Sequence, residues 1–241
     1  MVGRFGPDGC SVNLTAATQV RVGPLFARLG AAIVLLTALT VAVGTLLVTP
    51  EGDGIAQPFD DSIRSWAQAH LTGWQPMAAA LGAVGSTLAV AAASLAVTAY
   101  LWRRTRDGQL ALLPVTSVVL ATAVGSLTKI LIARARPGGV EVGLLEIYSF
   151  PSGHTETATA LTIGTYLAGR TRRTLQATRL AAAAVVFTIV AAAVGRVVLD
   201  VHWATDVIAG AGVGAASALA ARWALQRENH TATIDANRHL D

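Results

Sequence analysis

Six stretches of this chain carry no charged residue for thirteen or more positions, and they constrain the fold more than any motif does. Leu29 to Pro50 runs for 22 residues and Gly108 to Thr128 for 21. Each meets the ~20 residues that a helix needs to cross a hydrocarbon core of ~30 Å. Leu71 to Trp102 is longer, and its span is expected to start near Ala78, after Trp74 and Pro76. Thr157 to Gly169, Leu180 to Gly195 and Val207 to Ala221 are shorter. Sixteen residues, as in the middle one, reach roughly 24 Å at about 1.5 Å per residue. These three helices must therefore hold charged residues at or just inside the interface, where such residues are costly and are functional candidates by default. The expected fold class is all-α: an integral membrane bundle of six transmembrane helices.

Composition agrees. Of 241 residues, 53% are hydrophobic and 13% charged, against about a quarter charged in soluble domains. With a mean hydropathy of +0.55, a disordered chain is excluded and a soluble enzyme disfavoured. A single cysteine, Cys10, excludes an intramolecular disulfide and any multi-cysteine metal site. The net charge of +4 does not indicate nucleic acid, because the basic residues lie between the apolar runs. The first run is too long for a signal-peptide core and has no convincing cleavage site, so it reads as an uncleaved anchor.

Six spans place both termini on one side. That side holds Arg4, Arg21 and Arg28, the groups Arg103 to Arg106 and Arg170 to Arg179, and Arg222, Arg227 and Arg238, thirteen of the 18 basic residues. The positive-inside rule assigns it to the cytoplasm. Residues 1–24 are then a cytoplasmic N-terminal segment, 25–226 the membrane domain, and 227–241 a polar, frayed cytoplasmic tail. Arg64, Lys129, Arg134, Arg136 and Arg196 are left outside. In the first outer loop, Asp60 to His70 reads as a short interfacial helix anchored by Trp66. Gly210 and Gly214 form a small-residue motif better suited to packing within the chain than to a dimer. Seventeen arginines against one lysine, with abundant alanine, suggest a GC-rich bacterial genome and hence a bacterial plasma membrane.

Three segments at the expected outer ends of spans three to six carry chemistry. Lys129 and Arg136 are seven residues apart, two helical turns, and face the same way, with Pro137 ending the helix. Pro151-Ser152-Gly153-His154 opens span four, where backbone N–H groups, the Ser152 hydroxyl and the close approach allowed by Gly153 make an anion site. Arg196 closes span five, and His202 and Asp206, four residues apart, lead into span six, so that Asp206 can fix the imidazole tautomer. Three cations, a helix N-terminus and two histidines on one membrane face suit a tetrahedral phosphate. Lys129, Arg136 and Arg196 would neutralise its oxygens. His202 would attack phosphorus, and His154 would protonate the leaving oxygen and later activate water. Side-chain cations leave no need for a metal, and no cofactor is expected.

The ordered pattern Lys129-x6-Arg136-Pro137, Pro151-Ser-Gly-His154, Arg196-x5-His202-x3-Asp206 resembles the type-2 phosphatidic acid phosphatase superfamily, which includes integral-membrane lipid phosphate phosphatases. It departs at Gly195, where that family often has Ser. The resemblance implies Mg²⁺-independent hydrolysis of a lipid phosphate or diphosphate through a phosphohistidine on His202. The partners it implies are a lipid phosphate and membrane lipids. An undecaprenyl diphosphate carrier is slightly favoured, with phosphatidate or phosphatidylglycerol phosphate as the alternative. A non-catalytic lipid-binding protein would be expected to lose His154 or His202, and both are present. Haloperoxidase chemistry on the same scaffold fits six lipid-embedded spans poorly. Arg134 reads as structural, and Asp200 as the partner of a local ion pair with Arg196. Glu156 has no role assigned. His70, Trp66 and Trp74 read as an interfacial aromatic belt.

Overall fold

The structure, a computed structural model, describes residues 22–49, 54–138, 147–169 and 174–238. Arg4, Arg21, Cys10 and the arginines 170, 172 and 173 lie outside them. Among the described residues eight α-helices follow in chain order: α1 (Val22–Leu47), α2 (Gln57–His70), α3 (Gln75–Val84), α4 (Thr87–Thr105), α5 (Gly108–Ile132), α6 (Gly153–Gly169), α7 (Leu175–Val198) and α8 (Ala204–Arg238). Among the described residues there is no strand.

Local chemistry sets several boundaries. Asp107 caps α5, its carboxylate accepting from the backbone N–H groups of Gln109 at 3.0 Å and Leu110 at 3.1 Å. Thr174 caps α7 by accepting from Ala177 N–H, and Ser86 caps α4 from Ala89. Ser86 also marks a break. The second expected span is two helices, α3 and α4, bent by 52° at Gly85 and Ser86. The apolar run from 71 to 102 is uniform in character, but a Gly-Ser pair ends one helix and caps the next.

Among the described residues four helices are long and apolar enough to cross a membrane: α1, α5, α7 and α8 through Gln226, and the bent α3–α4 pair makes five if taken as one span. α6 occupies the fourth expected span but has only 17 residues. α7 begins at Leu175, five residues before the charge-free run, and so spans 24 residues with Arg179 and Arg196 inside it. α8 is helical to Arg238, its candidate span ending at Gln226.

α6 is the centre of the bundle, packed between α5 and α8, which also touch each other. Its neighbours come close because glycines leave room. A Cβ on Gly214 of α8 would lie 2.7 Å from Thr159 Cβ, one on Gly210 would meet the Ser152 carbonyl at 2.6 Å, and one on Gly164 of α6 would meet Ser117 Oγ at 2.8 Å. The Gly210–Gly214 motif thus serves packing within the chain. α1 lies against α5 and α8, α4 against α5, and α7 against α6 and α3. The outer helices present apolar side chains outward, Val34, Leu35 and Leu39 on α1 and Val186, Phe187 and Val190 on α7. Such a face suits lipid and not water.

Candidate active site

Lys129 ends α5, His154 begins α6, Arg196 ends α7, and His202 precedes α8, so four helix termini meet at one end of the bundle. They enclose a cavity of about 70 Å³ lined by Lys129, Arg136, Gly153, His154, Arg196, Val201 and His202. The residues singled out in the three sequence segments are brought together, with Ser152 and Asp206 behind the wall.

The first segment arrives by a different route from the one its spacing suggests. α5 stops at Ile132, and Ala133 adopts the left-handed conformation (φ 53°) with its N–H bonded to the Lys129 carbonyl. The helix therefore ends five residues before Pro137, and Lys129 and Arg136 are not two turns apart on one helical face. Lys129 approaches from the helix, its Nζ donating to the carbonyls of Pro151 at 2.6 Å and Tyr148 at 3.2 Å. Arg136 approaches from the chain beyond it, donating from Nη1 to the Val201 carbonyl at 2.7 Å, with the same nitrogen 3.4 Å from His202 Nε2.

In the second segment the Phe150–Pro151 peptide is cis and α6 starts at Gly153. Gly153 and His154 line the cavity with the first turn of the helix, whose N–H groups have no intrahelical acceptor. Ser152 does not line it. Its side chain is buried and its Oγ accepts from Thr155 Oγ1, while its N–H donates to the Asp206 carbonyl at 3.0 Å. The hydroxyl is drawn under its own helix and is not presented to an anion, while the backbone N–H ties the start of α6 to α8.

The third segment turns sharply. Asp200 takes a positive φ of 58°, its N–H bonded to the Val197 carbonyl. Asp200 pairs with Arg64 of α2 in a two-point contact, both bonds 2.7 Å, and not with Arg196. Arg196 is buried and donates from Nη2 to the Ala78 carbonyl of α3 at 3.3 Å. Gly82 clears the way: a Cβ there would collide with the Arg196 guanidinium, and one on Gly85 would lie 3.3 Å from His154 Cδ2. A small apolar cleft beside α3, including Gly82, Gly85 and Ala158, shares His154 and Arg196 with the main cavity.

His202 is buried, with Nδ1 3.4 Å from Asp206 Oδ2. That is longer than a formed hydrogen bond. Arginine can only donate, so Nε2 facing Arg136 is the nitrogen with the lone pair, and Nδ1 bears the proton toward Asp206. Burial pushes the imidazole down to about 4, against the opposing pull of the Asp206 carboxylate. A neutral ring facing three cations is what nucleophilic attack requires.

Asp206 itself is fully buried. Oδ2 accepts from the Trp203 N–H at 2.8 Å, and Oδ1 accepts from Arg134 Nη1 at 2.8 Å. Arg134 is buried as well and donates to Asp60 of α2 at 2.7 Å. Asp60, Arg64 and Thr205 carry no motif, and no local signal reveals them, since Asp60 and Arg134 are 74 residues apart. Glu156 is buried against Gly125 of α5, where a Cβ would collide with its carboxylate, and its Oε2 has no hydrogen-bond partner. Among the described residues no group of three or more His, Cys, Asp or Glu side chains is arranged to hold a metal ion.

The family model for the PAP2 superfamily matches residues 110–230, which contain all three segments. Among solved structures, the chain is similar to one titled the first transmembrane PAP2 type phosphatidylglycerolphosphate phosphatase from Bacillus subtilis. The TM-score is 0.64 at 18% identity, over 83% of this chain and 96% of that one. At that identity the likeness establishes a shared fold. No curated protein matches.

Proposed function

The chain belongs to the PAP2 superfamily, and on that premise we propose that it hydrolyses the phosphate of a membrane lipid through a phosphohistidine on His202, without a metal. The observation that carries this reading is the cavity itself, where Lys129, Arg136 and Arg196 surround the unprotonated nitrogen of a neutral histidine.

The chemistry runs in two displacements. The Nε2 lone pair forms a bond to phosphorus as the bond to the lipid oxygen breaks, and His154 gives that oxygen its proton. The three cations and the first-turn N–H groups of α6 take up charge on the non-bridging oxygens. His154, now unprotonated, then removes a proton from water, the hydroxide displaces the imidazole, and inorganic phosphate leaves. Nδ1 keeps its proton throughout, facing Asp206.

The substrate is a lipid phosphomonoester or diphosphate. Polyprenyl diphosphate is the first reading, from the bacterial character of the sequence. A glycerolipid phosphate is the second, favoured by the name of the solved protein that shares the fold. The α6 helix completes six spans, with the arginine-rich ends and both termini cytoplasmic and the cavity facing outward in the plasma membrane.

The test is phosphate release by purified protein in detergent with EDTA present, from undecaprenyl diphosphate, phosphatidate and phosphatidylglycerol phosphate, with His202→Ala as control. EDTA-resistant release abolished by the substitution supports the proposal, and the ranking of rates names the lipid class. No release from any of the three overturns it in favour of a binding protein.

A further inference from the structure

Behind the cavity wall, four ionisable side chains from four parts of the chain form one buried line. Asp60 comes from α2, Arg134 from the segment after α5, Asp206 from the first turn of α8, and His202 from the turn before it. None is more than 4% exposed. Arg134 donates from Nη2 to Asp60 and from Nη1 to Asp206 and Thr205. Asp60 also accepts from the backbone N–H and the hydroxyl of Thr205, the residue next to Asp206. The guanidinium packs over the Trp203 ring at 5.1 Å, next to His202 in the chain.

We propose that Arg134 and Asp60 are positioning residues for His202: they hold Asp206 in the orientation that aligns the imidazole, so that docking of α2 onto the bundle completes the nucleophile. The inference rests on the reading of His202 as the attacking group.

The geometry assigns each member a task. Asp206 has two oxygens, and Arg134 fixes Oδ1 at 2.8 Å, which leaves Oδ2 to accept from Trp203 and to face Nδ1. Without Arg134 the carboxylate could turn about its last torsion and leave the imidazole unsupported. Arg134 alone, however, would cancel the charge of Asp206 where positive charge must develop on the ring. Asp60 restores it, since two carboxylates against one guanidinium leave one net negative charge beside the imidazole. When Nε2 bonds to phosphorus the ring becomes a cation with its proton still on Nδ1, and that remaining charge opposes it. An ion pair meant only to hold α2 in place would need Asp60 and Arg134 but no contact with Asp206.

Asp60→Asn, Arg134→Lys, Arg134→Gln and the pair Asp60→Asn with Asp206→Asn are to be purified whole in dodecylmaltoside and assayed on phosphatidate. Asp60→Asn should lower kcat on the order of 10- to 100-fold with KM within about threefold, as expected for an orienting carboxylate network. Arg134→Lys should retain more activity than Arg134→Gln. In the Asp206→Asn background, Asp60→Asn should cost less than about twofold, because residues acting through one another are not additive. The His202 ¹⁵N signals should move toward a mixed tautomer in Asp60→Asn. Thr205→Val keeps both charges and removes one bond from each, and should lower kcat severalfold at unchanged KM, which covers the case where Asp60→Asn is not recovered folded. A folded Asp60→Asn or Thr205→Val with wild-type kcat overturns the inference. So does an equal loss from Asp60→Asn with and without Asp206. Activity in His202→Ala would instead remove the premise, whereas an inactive His202→Ala beside a fully active Asp60→Asn sinks this inference alone.

Discussion

Nε2 of His202 lies 3.4 Å from Nη1 of Arg136. In the proposed mechanism this cation neutralises a phosphoryl oxygen but, having no lone pair, cannot replace His202 as nucleophile. Its contact with the Val201 carbonyl, next to His202, keeps the two residues in register.

His202→Ala should therefore abolish turnover, by at least ~10³-fold as for other nucleophile removals, while the protein still folds and binds lipid phosphate. Labelled substrate quenched during turnover should leave acid-labile, alkali-stable phosphate on the wild type and none on this variant. His154→Gln should slow the release of that label. Retained activity in His202→Ala would place the nucleophile elsewhere.

Burial pushes the His202 imidazole down to about 4 in the folded protein, below its ordinary value of about 6.5. The unfolded chain binds this proton first as pH falls, so the group's contribution to stability is full above about 6.5 and is lost between there and about 4. Melting temperatures in detergent from pH 7 to 4.5 should fall more steeply for the wild type than for His202→Gln. The His202 ring signals should show no titration near 6.5.

Vanadate should inhibit competitively as a phosphate mimic, and EDTA should change the rate little, because three side-chain cations supply the positive charge. Arg136→Lys should not restore an Arg136→Ala variant, since lysine offers no planar fork for two oxygens. A strict metal requirement in the activity assay would contradict this account.

Gly82→Ala places a methyl in the space of the Arg196 guanidinium. With Arg196 held between α3 and the cavity, kcat/KM should fall about 10- to 100-fold, in line with a misplaced charge contact in a binding site. Gly73→Ala, with open space around it, should match the wild type in the same assay.

Arg64→Ala breaks the two-point contact with Asp200. Arg64 is 37% exposed, so solvent screens the pair and its loss should cost no more than about 1 kcal/mol of stability. A melting shift far larger than a few degrees would mean that the turn before His202 depends on this pair more than its exposure suggests.

The three chemical segments were legible because each is short and each lies at a helix end, where spacing in sequence is nearly spacing in space. Legibility failed where a distant partner or a local break in the helix decided the outcome. Lys129 and Arg136 share the cavity, yet not through one helical face, because Ala133 closes α5 and Arg134 is drawn toward Asp60 and Asp206. Asp200 looked like a neighbour's partner and pairs instead with a residue 136 positions away. The Ser152 hydroxyl was expected at the anion and is turned beneath α6 toward Thr155. The bend between α3 and α4 depends on two small residues, Gly85 and Ser86, inside a charge-free run, which hydropathy cannot resolve.

The shortness of α6 bears on how the protein is made. A segment of 17 residues with a buried carboxylate and several threonines gains little from lipid on its own. It becomes favourable only when the glycine notches of α8 and the face of α5 close around it. Because α8 follows α6 in the chain, the contacts that bury α6 form only once α8 has been made. The cavity that both histidines line sits where the start of α6 meets the start of α8.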